Sequence, residues 1–253
     1  MKFFNKISLS TMETRIRKNE FLVIDTDVDK CWSGTDTKKL YESNLKKQPK
    51  NWYYRNNNVR YTINSNGYRT YEFKDINWKN SVIIFGCSQV FGIGLDDEYT
   101  ISNQLSKLIK CPVINMGMGG SSMMFAFHNS IILRDGYPMP KAVVNLWTEY
   151  HRCAYYNRHS VEFYGSWNLK LNNFMDLWNK NDHNSKVHAL LMQKSSHIMW
   201  NNTKYCELSF VKETANLLKI NHLPMLDTAR DLGHAGIETA KQTAEIIARK
   251  LSL

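Results

Sequence analysis

A chain of 253 residues, 43% hydrophobic and 22% charged, is long enough for one large domain with a full core, and its composition excludes a disordered or fibrous protein. No stretch approaches the roughly 18 apolar residues of a membrane-crossing helix. The net charge of +10 would suit nucleic acid, an anionic glycan or a membrane surface, but no nucleic-acid motif accompanies it and nucleic acid is not an expected partner.

The opening MKFFNKISLSTMETRIRKNE has a broken apolar run between charges and lacks the apolar core of a signal peptide. A cytoplasmic protein is therefore predicted, with association with a phage particle as the alternative. Residues 1–57 read as an extension or cap packed on the main domain. Within them FLVIDTDVDKCW suits a strand, and Asp25, Asp27 and Asp29 are spaced like the start of a calcium loop. Lys30 stands where such a loop needs Gly, and Asp36 where it needs Glu, so calcium is not expected. The stretch KKLYESNLKKQPKNWYYRNNNVR mixes cationic and aromatic residues, a pattern that solvated surfaces also show.

From about residue 80 strand-length apolar runs alternate with amphipathic stretches. The runs are SVIIFG (81–86), PVINM (112–116), KAVVNLW (141–147), KVHALLM (186–192) and LPMLD (223–227). Between them lie TISNQLSKLIK, SSMMFAFHNSIILRD, LKLNNFMDLWNK and CELSFVKETANLLKI, and IETAKQTAEIIARKLSL closes the chain as a helix. Apolar runs without alternation suit strands buried on both faces, joined by crossover helices. Residues 58–253 are thus expected to form a three-layer α/β/α sandwich on a five-stranded, mainly parallel sheet. Sites in such sheets form outside the carboxyl ends of the strands, so the residues after each run are the candidates.

After the first run, GCSQVFGIGL places Ser88 on a glycine-rich turn, where a hydroxyl is exposed and backbone N–H groups can point at it. After the second, NMGMGGSS brings glycines to a strand end ahead of a helix capped by Ser121 or Ser122. These glycines do not fit a dinucleotide or phosphate motif, and their better use is as an N–H donor to an oxyanion. After the last, Asp231 and His234 stand three residues apart, a spacing that lets the carboxylate hold one ring nitrogen while the other faces a serine. Ser88, Gly117 and His234 all fall at carboxyl ends of expected strands. The five cysteines (Cys31, Cys87, Cys111, Cys153, Cys206) are scattered without a CxxC pair, and no histidine spacing points to a metal, so neither disulfides nor a cofactor are expected.

In order and content these pieces resemble the SGNH/GDSL hydrolase superfamily over roughly residues 58 to 253. GCSQVFG is similar to its nucleophile block, NMGMGGSS to its Asn-x-Gly-x-x-Gly block, DLGH to its terminal Asp-x-x-His block, and RYTINSNGYRTYEF to a lead-in found in many members. The resemblance implies Ser88 as nucleophile, His234 as general base and Asp231 as its orienting carboxylate. The Ser88 and Gly117 N–H groups would bind the oxyanion. Asp227 is an alternative carboxylate. Two departures stand out. Cys87 replaces the Asp of the first block, next to the nucleophile. NLWTEYHR replaces the Gly-x-Asn-Asp block, which puts Thr148 where the oxyanion Asn belongs, with Asn145 as substitute in another register and a Trp147-Thr148…Arg152 pattern around it. One lost oxyanion donor costs on the order of a hundredfold in rate, so modest activity is expected. The implied function is a serine esterase acting on an O-acylated carbohydrate or similar small ester. Two alternatives are a catalytically decayed binding or particle-associated protein, and an acyltransferase with the same triad. The aromatic group Trp147, Tyr150, Tyr155, Tyr156, Tyr164 and Trp167 follows the third strand and is read mainly as packing, in part as a surface for sugar rings.

Overall fold

The computed structural model describes residues 11–22, 28–29, 31–158, 160–165, 167, 178 and 182–253. A short helix α1 (Met12–Arg17) and an antiparallel pair, β1 (Val28–Asp29) with β2 (Trp32–Ser33), precede α2 (Lys38–Lys47). The main unit then alternates as β3 (Val82–Gly86), α3 (Ser88–Phe91), α4 (Ile101–Ile109), β4 (Val113–Gly117), α5 (Met123–Gly136) and β5 (Ala142–Trp147). A hairpin of β6 (Cys153–Tyr156) and β7 (Val161–Tyr164) follows. The chain closes with α6 (Asp182–Met199), β8 (Lys204–Ser209), α7 (Lys212–Leu218), β9 (Asn221–His222) and α8 (Ile237–Leu251). The five-stranded sheet has the order β4-β3-β5-β8-β9, and every pair in it is parallel.

Alternation along each strand divides the core in two. Ile83, Phe85, Val143 and Trp147 pack with Phe125, Leu133 and Ala189 on the α5 and α6 side. Val82, Ile84, Val144 and Leu146 pack with Ile101 and Leu105 of α4 and Ala244 and Ile247 of α8. Helix α8 forms because Ala240, Ala244, Ile247 and Leu251 recur at helical spacing and present one buried stripe to the sheet. Each large side chain buried in this way contributes roughly 1.5–3 kcal/mol. The caps follow the sequence as well: Thr100 Oγ1 accepts the Asn103 N–H (3.3 Å), and Ser122 rather than Ser121 caps α5, accepting the Phe125 N–H (3.3 Å).

Two expected strands are not strands. KVHALLM lies inside α6, where Ala189 is buried and Val187, Leu190 and Leu191 sit on the exposed surface of the helix. A short apolar run fits a helix as well as a strand. The fourth strand is instead KYCELS, which the sequence reading had merged with the following helix. Its alternation sends Cys206 and Leu208 to the α8 side, and Tyr205 and Glu207 to the α6 side. LPMLD also leaves the sheet: β9 ends at His222, Leu223 N–H bonds Ser209 O (2.8 Å), and Pro224 has no N–H with which to continue the ladder. The expected helix LKLNNFMDLWNK, like Asp25, Asp27 and Lys30 of the calcium-like spacing, lies outside the described residues except for Trp178. No helix among the described residues is long and apolar enough to cross a membrane.

At the end of β4 a Cβ on Gly117 would stand 2.5 Å from the Phe91 backbone nitrogen and 2.7 Å from Val90 Cβ. Gly117→Ala must push α3 away from β4. A loss of about 1–3 kcal/mol in denaturant unfolding is expected for this overpacking; an unchanged midpoint would mean that the two elements do not need their close approach.

Candidate active site

The order of the sheet reverses around β3, whose neighbours β4 and β5 lie on opposite sides, so a crevice opens beyond the carboxyl ends of these strands. Ser88 opens α3 there, one residue after β3. The turn is tight because Gly86 has no side chain: a Cβ would meet Val90 Cγ2 at 2.4 Å and Leu146 O at 2.9 Å. Gly92 ends the single-turn helix in the left-handed region (φ +81°). Arg69 holds the far end of this turn from below. Its Nη1 donates to Phe91 O (3.2 Å) and Gly92 O (2.6 Å), its Nη2 to Leu95 O (2.8 Å) and Arg60 O (2.7 Å), and its Nε to Asp97 (2.7 Å). The NSNGYR segment delivers that guanidinium through a turn in which Asn64 Oδ1 accepts the N–H groups of Asn66 and Tyr68, both at 3.0 Å.

The terminal block folds on itself in a similar way. Asp231 Oδ1 accepts the N–H groups of Gly233 (3.0 Å) and His234 (3.1 Å), while Leu232 takes a left-handed φ of +61°. A non-glycine residue in that region stores about 1 kcal/mol. Asp231 Oδ2 accepts from His234 Nδ1 at 2.6 Å, which orients the ring and leaves Nε2 as its outer nitrogen. The loop is tied to the Ser88 turn by Ala235 N–H on Gln89 Oε1 (2.9 Å) and to the Gly94 turn by Arg230 N–H on Gly94 O (3.1 Å). Burial works against the Asp231 charge, but the bond and charge of His234, the Thr35 hydroxyl and the Gly233 N–H more than offset it, holding the carboxyl below its ordinary range.

Ser88 and His234 line one cavity of about 200 Å³, together with Gln89, Trp147, Thr148 and Arg152. The hydrogen bond recorded for Ser88 Oγ among the described residues goes to Cys87 Sγ at 3.8 Å. Ser88 Oγ and His234 share a cavity but make no hydrogen bond to each other among the described residues; catalytic hydrogen bonds can be long in an unliganded site. Thr148 follows β5 into the cavity, but its hydroxyl donates to Glu149 Oε2 (2.6 Å), and the same oxygen pairs with Arg152 Nε (2.6 Å). Burial opposes the Glu149 charge; Arg152 and the Thr148 hydroxyl outweigh it and keep the carboxyl below its ordinary value. Trp147 is fixed beside them by its indole N–H on Glu207 Oε1 (2.9 Å).

Three candidates are placed elsewhere. The Gly117 N–H donates to Asn115 Oδ1 (2.9 Å) inside the sheet and so is not aimed at an oxyanion. Past it, the N–H groups of Gly119 and Gly120 make no hydrogen bond among the described residues, and Gly120 is in the left-handed region (φ +71°). Asn145 is fully buried within β5 and donates to Tyr205 OH (2.8 Å), away from the cavity. Asp227 spends both carboxylate oxygens on the start of α8, accepting from Glu238 N (3.1 Å), Thr239 N (2.9 Å) and Thr239 Oγ1 (2.7 Å). Thr35, which donates to Asp231 Oδ2 at 2.5 Å, was missed; it stands 196 positions earlier, and no local pattern marks it. Among the described residues no group of three or more His, Cys, Asp or Glu side chains is arranged to hold a metal ion.

No protein-family model matches the chain, and no curated protein matches its sequence. The chain is similar to several solved structures. The acetyl xylan esterase Est2A from the rumen bacterium Butyrivibrio proteoclasticus is 10% identical over 70% of this chain and 65% of its own, with a TM-score of 0.42. A carbohydrate esterase family 2 enzyme with a carbohydrate-binding domain, from Corynascus thermopiles (Myceliophthora fergusii), is 11% identical over 69% and 67%, with a TM-score of 0.41. AlinE4, an SGNH-hydrolase family esterase, is 11% identical over 70% and 75%, with a TM-score of 0.34. The parallel five-stranded sheet flanked by helices is the α/β architecture expected from the sequence.

Proposed function

We propose that the protein is a serine esterase acting on a small O-acylated substrate, with Ser88 as nucleophile, His234 as general base and Asp231 as the carboxylate that orients it. The observation that carries this reading is that Ser88 and His234 line one cavity at the strand ends, with Asp231 buried behind the His234 ring and bonded to its Nδ1. His234 Nε2 takes the Ser88 proton as Oγ attacks the ester carbonyl carbon. The tetrahedral intermediate collapses, and the imidazolium returns that proton to the departing alkoxide. Water, deprotonated by His234, then attacks the acyl-enzyme carbonyl; the bond to Ser88 Oγ breaks, Oγ takes the proton back from His234 and the carboxylic acid leaves. An alcohol in place of water would make the same machinery an acyltransferase. The oxyanion donors assigned here are the Ser88 N–H, which opens α3 without an intrahelical acceptor, and the N–H groups of Gly119 and Gly120 in place of Gly117. Trp167, half exposed beside Gly120 and stacked against Arg152 (4.8 Å from guanidinium carbon to ring centroid), offers a flat face to a sugar ring on the alcohol side.

A fluorophosphonate tests the nucleophile directly. Mass spectrometry of the folded protein should find the adduct on Ser88; an adduct elsewhere, or none, overturns the assignment. The alternative of a retired site that only binds its ligand is favoured by two features: Ser88 Oγ makes no bond to His234 among the described residues, and the Thr148 hydroxyl, where the SGNH/GDSL resemblance implies an oxyanion Asn, is turned to Glu149. Thr148→Val separates the two views of that hydroxyl. With the backbone donors sufficient, kcat should change by less than about threefold, whereas a true oxyanion donor would cost on the order of a hundredfold.

A further inference from the structure

We propose that Thr35, from the segment ahead of the main domain, is a positioning residue of the active site that acts through Asp231 on His234. The inference rests on the triad reading above. Ser33 and Asp36 exchange backbone bonds (Ser33 N–H to Asp36 O, 3.1 Å; Asp36 N–H to Ser33 O, 3.0 Å), which leaves Gly34 and Thr35 as the tip of a two-residue turn. Gly34 takes φ +58°, the left-handed conformation that such a turn demands of its first tip residue. The tip presents the Thr35 hydroxyl to Asp231 Oδ2 at 2.5 Å, the same oxygen that receives His234 Nδ1 at 2.6 Å. Oδ1 is occupied by the two N–H groups of its own loop. Thr35 is therefore the one side chain from outside the terminal loop that is bonded to this carboxylate among the described residues.

The turn is anchored independently of that hydroxyl. Asp36 forms a buried, two-pronged ion pair with Arg230, Nε to Oδ1 at 2.9 Å and Nη2 to Oδ2 at 2.8 Å, and accepts from Tyr61 OH at 2.6 Å. Arg230 stacks on Trp32 at 4.1 Å. Attachment of the segment does not need the Thr35 hydroxyl, so its aim at Asp231 calls for another use. Fixing the carboxylate between a hydroxyl and two amides fixes the ring it holds. The charged or titratable groups packed around Asp231 are His234 on its own loop and the Asp36–Arg230 pair beside it. Loss of the Thr35 bond removes one of the contacts that hold the Asp231 carboxyl low, so its titration should rise.

The test uses the full chain as wild type, Thr35→Val and Thr35→Ser, with Thr35→Ala as substitute if the valine variant does not fold. Two readouts are taken, kcat and KM for p-nitrophenyl acetate across pH and the titration of the Asp231 carboxyl by carbon-13 NMR. Thr35→Val should lower kcat roughly tenfold at unchanged KM, as expected for one lost bond to a charged group. The Asp231 titration should move to higher pH, because the carboxylate has lost a donor and takes up a proton sooner as pH falls. The acid limb of the kcat profile, which reports the base, should rise with it because that carboxylate then pairs more strongly with the imidazolium. Thr35→Ser keeps the hydroxyl and should restore all three. The proposal is overturned if valine leaves kcat within about twofold of wild type, if kcat falls with profile and titration unmoved, or if serine does not rescue. Wild-type turnover that does not depend on Ser88 would sink the functional reading instead; the Asp231 titration in Thr35→Val then decides the coupling without any activity.

Discussion

Ser88→Ala is expected to lower hydrolysis of p-nitrophenyl acetate by on the order of a thousandfold or more while leaving thermal unfolding in place. The size follows from what the substitution removes. Without Oγ no acyl-enzyme forms, and only the oxyanion donors and binding cavity can still act on water. The fold should not notice, because the recorded hydrogen bond of Ser88 Oγ is a weak contact to Cys87 Sγ at 3.8 Å, and the turn is held by Gly86, Gly92 and Arg69 instead. His234→Ala should cost about as much, and the double variant no more than either, since nucleophile and base act as one unit. Additive losses in the double variant, or a Ser88→Ala protein that keeps its rate, would remove Ser88 from the mechanism. Cys87→Ala serves as the control: it should retain activity, and its inactivation in place of Ser88→Ala would move the nucleophile by one residue.

Asp36→Ala carries the largest expected effect on stability. Asp36 and Arg230 have side chains 1% and 5% exposed, and Arg230 also donates to Cys31 O beneath the ring of Trp32. Removing the carboxylate leaves a guanidinium buried without its counter-charge, which costs about 3–5 kcal/mol. For a domain of this length that corresponds to a fall of roughly 10 °C in Tm. Arg230→Met added to Asp36→Ala should recover part of the loss, because a buried ion pair can often be exchanged for apolar groups of similar volume at little net cost. Differential scanning calorimetry of the two variants decides the matter. A Tm for Asp36→Ala within about 2 °C of wild type would mean that water reaches the guanidinium and that the N-terminal segment is not locked to the terminal block. Because Thr35 neighbours Asp36, the single variant should also lose turnover, which links the stability of this segment to the site.

Much of this was legible in local sequence. The runs ending at Gly86, Met116 and Trp147 became β3, β4 and β5 because β-branched and apolar residues without alternation suit a strand covered on both faces. Ser88 and the Asp231–His234 pair were readable because each depends on a short motif whose geometry is set within a few residues: a glycine-framed turn, and a carboxylate that bonds the two following amides and then the ring. The NSNGYR lead-in was visible as a motif, although its use, an arginine bonded to the carbonyls at the end of the Ser88 turn, was not.

Tertiary structure alone decided the rest. KVHALLM and KYCELS exchanged expected roles because seven apolar-leaning residues satisfy either period, and only the free place beside β5 selects the segment that alternates between the two sheet faces. The Gly117 amide is taken by the side chain of Asn115, a bond that strand spacing does not reveal. Thr35 and Asp36 meet Asp231 and Arg230 across 196 and 194 positions. The physical reason is the range of the forces involved: turns, caps and burial patterns act between near neighbours in sequence, whereas the partner of a buried charge is whatever the folded chain brings within hydrogen-bond distance.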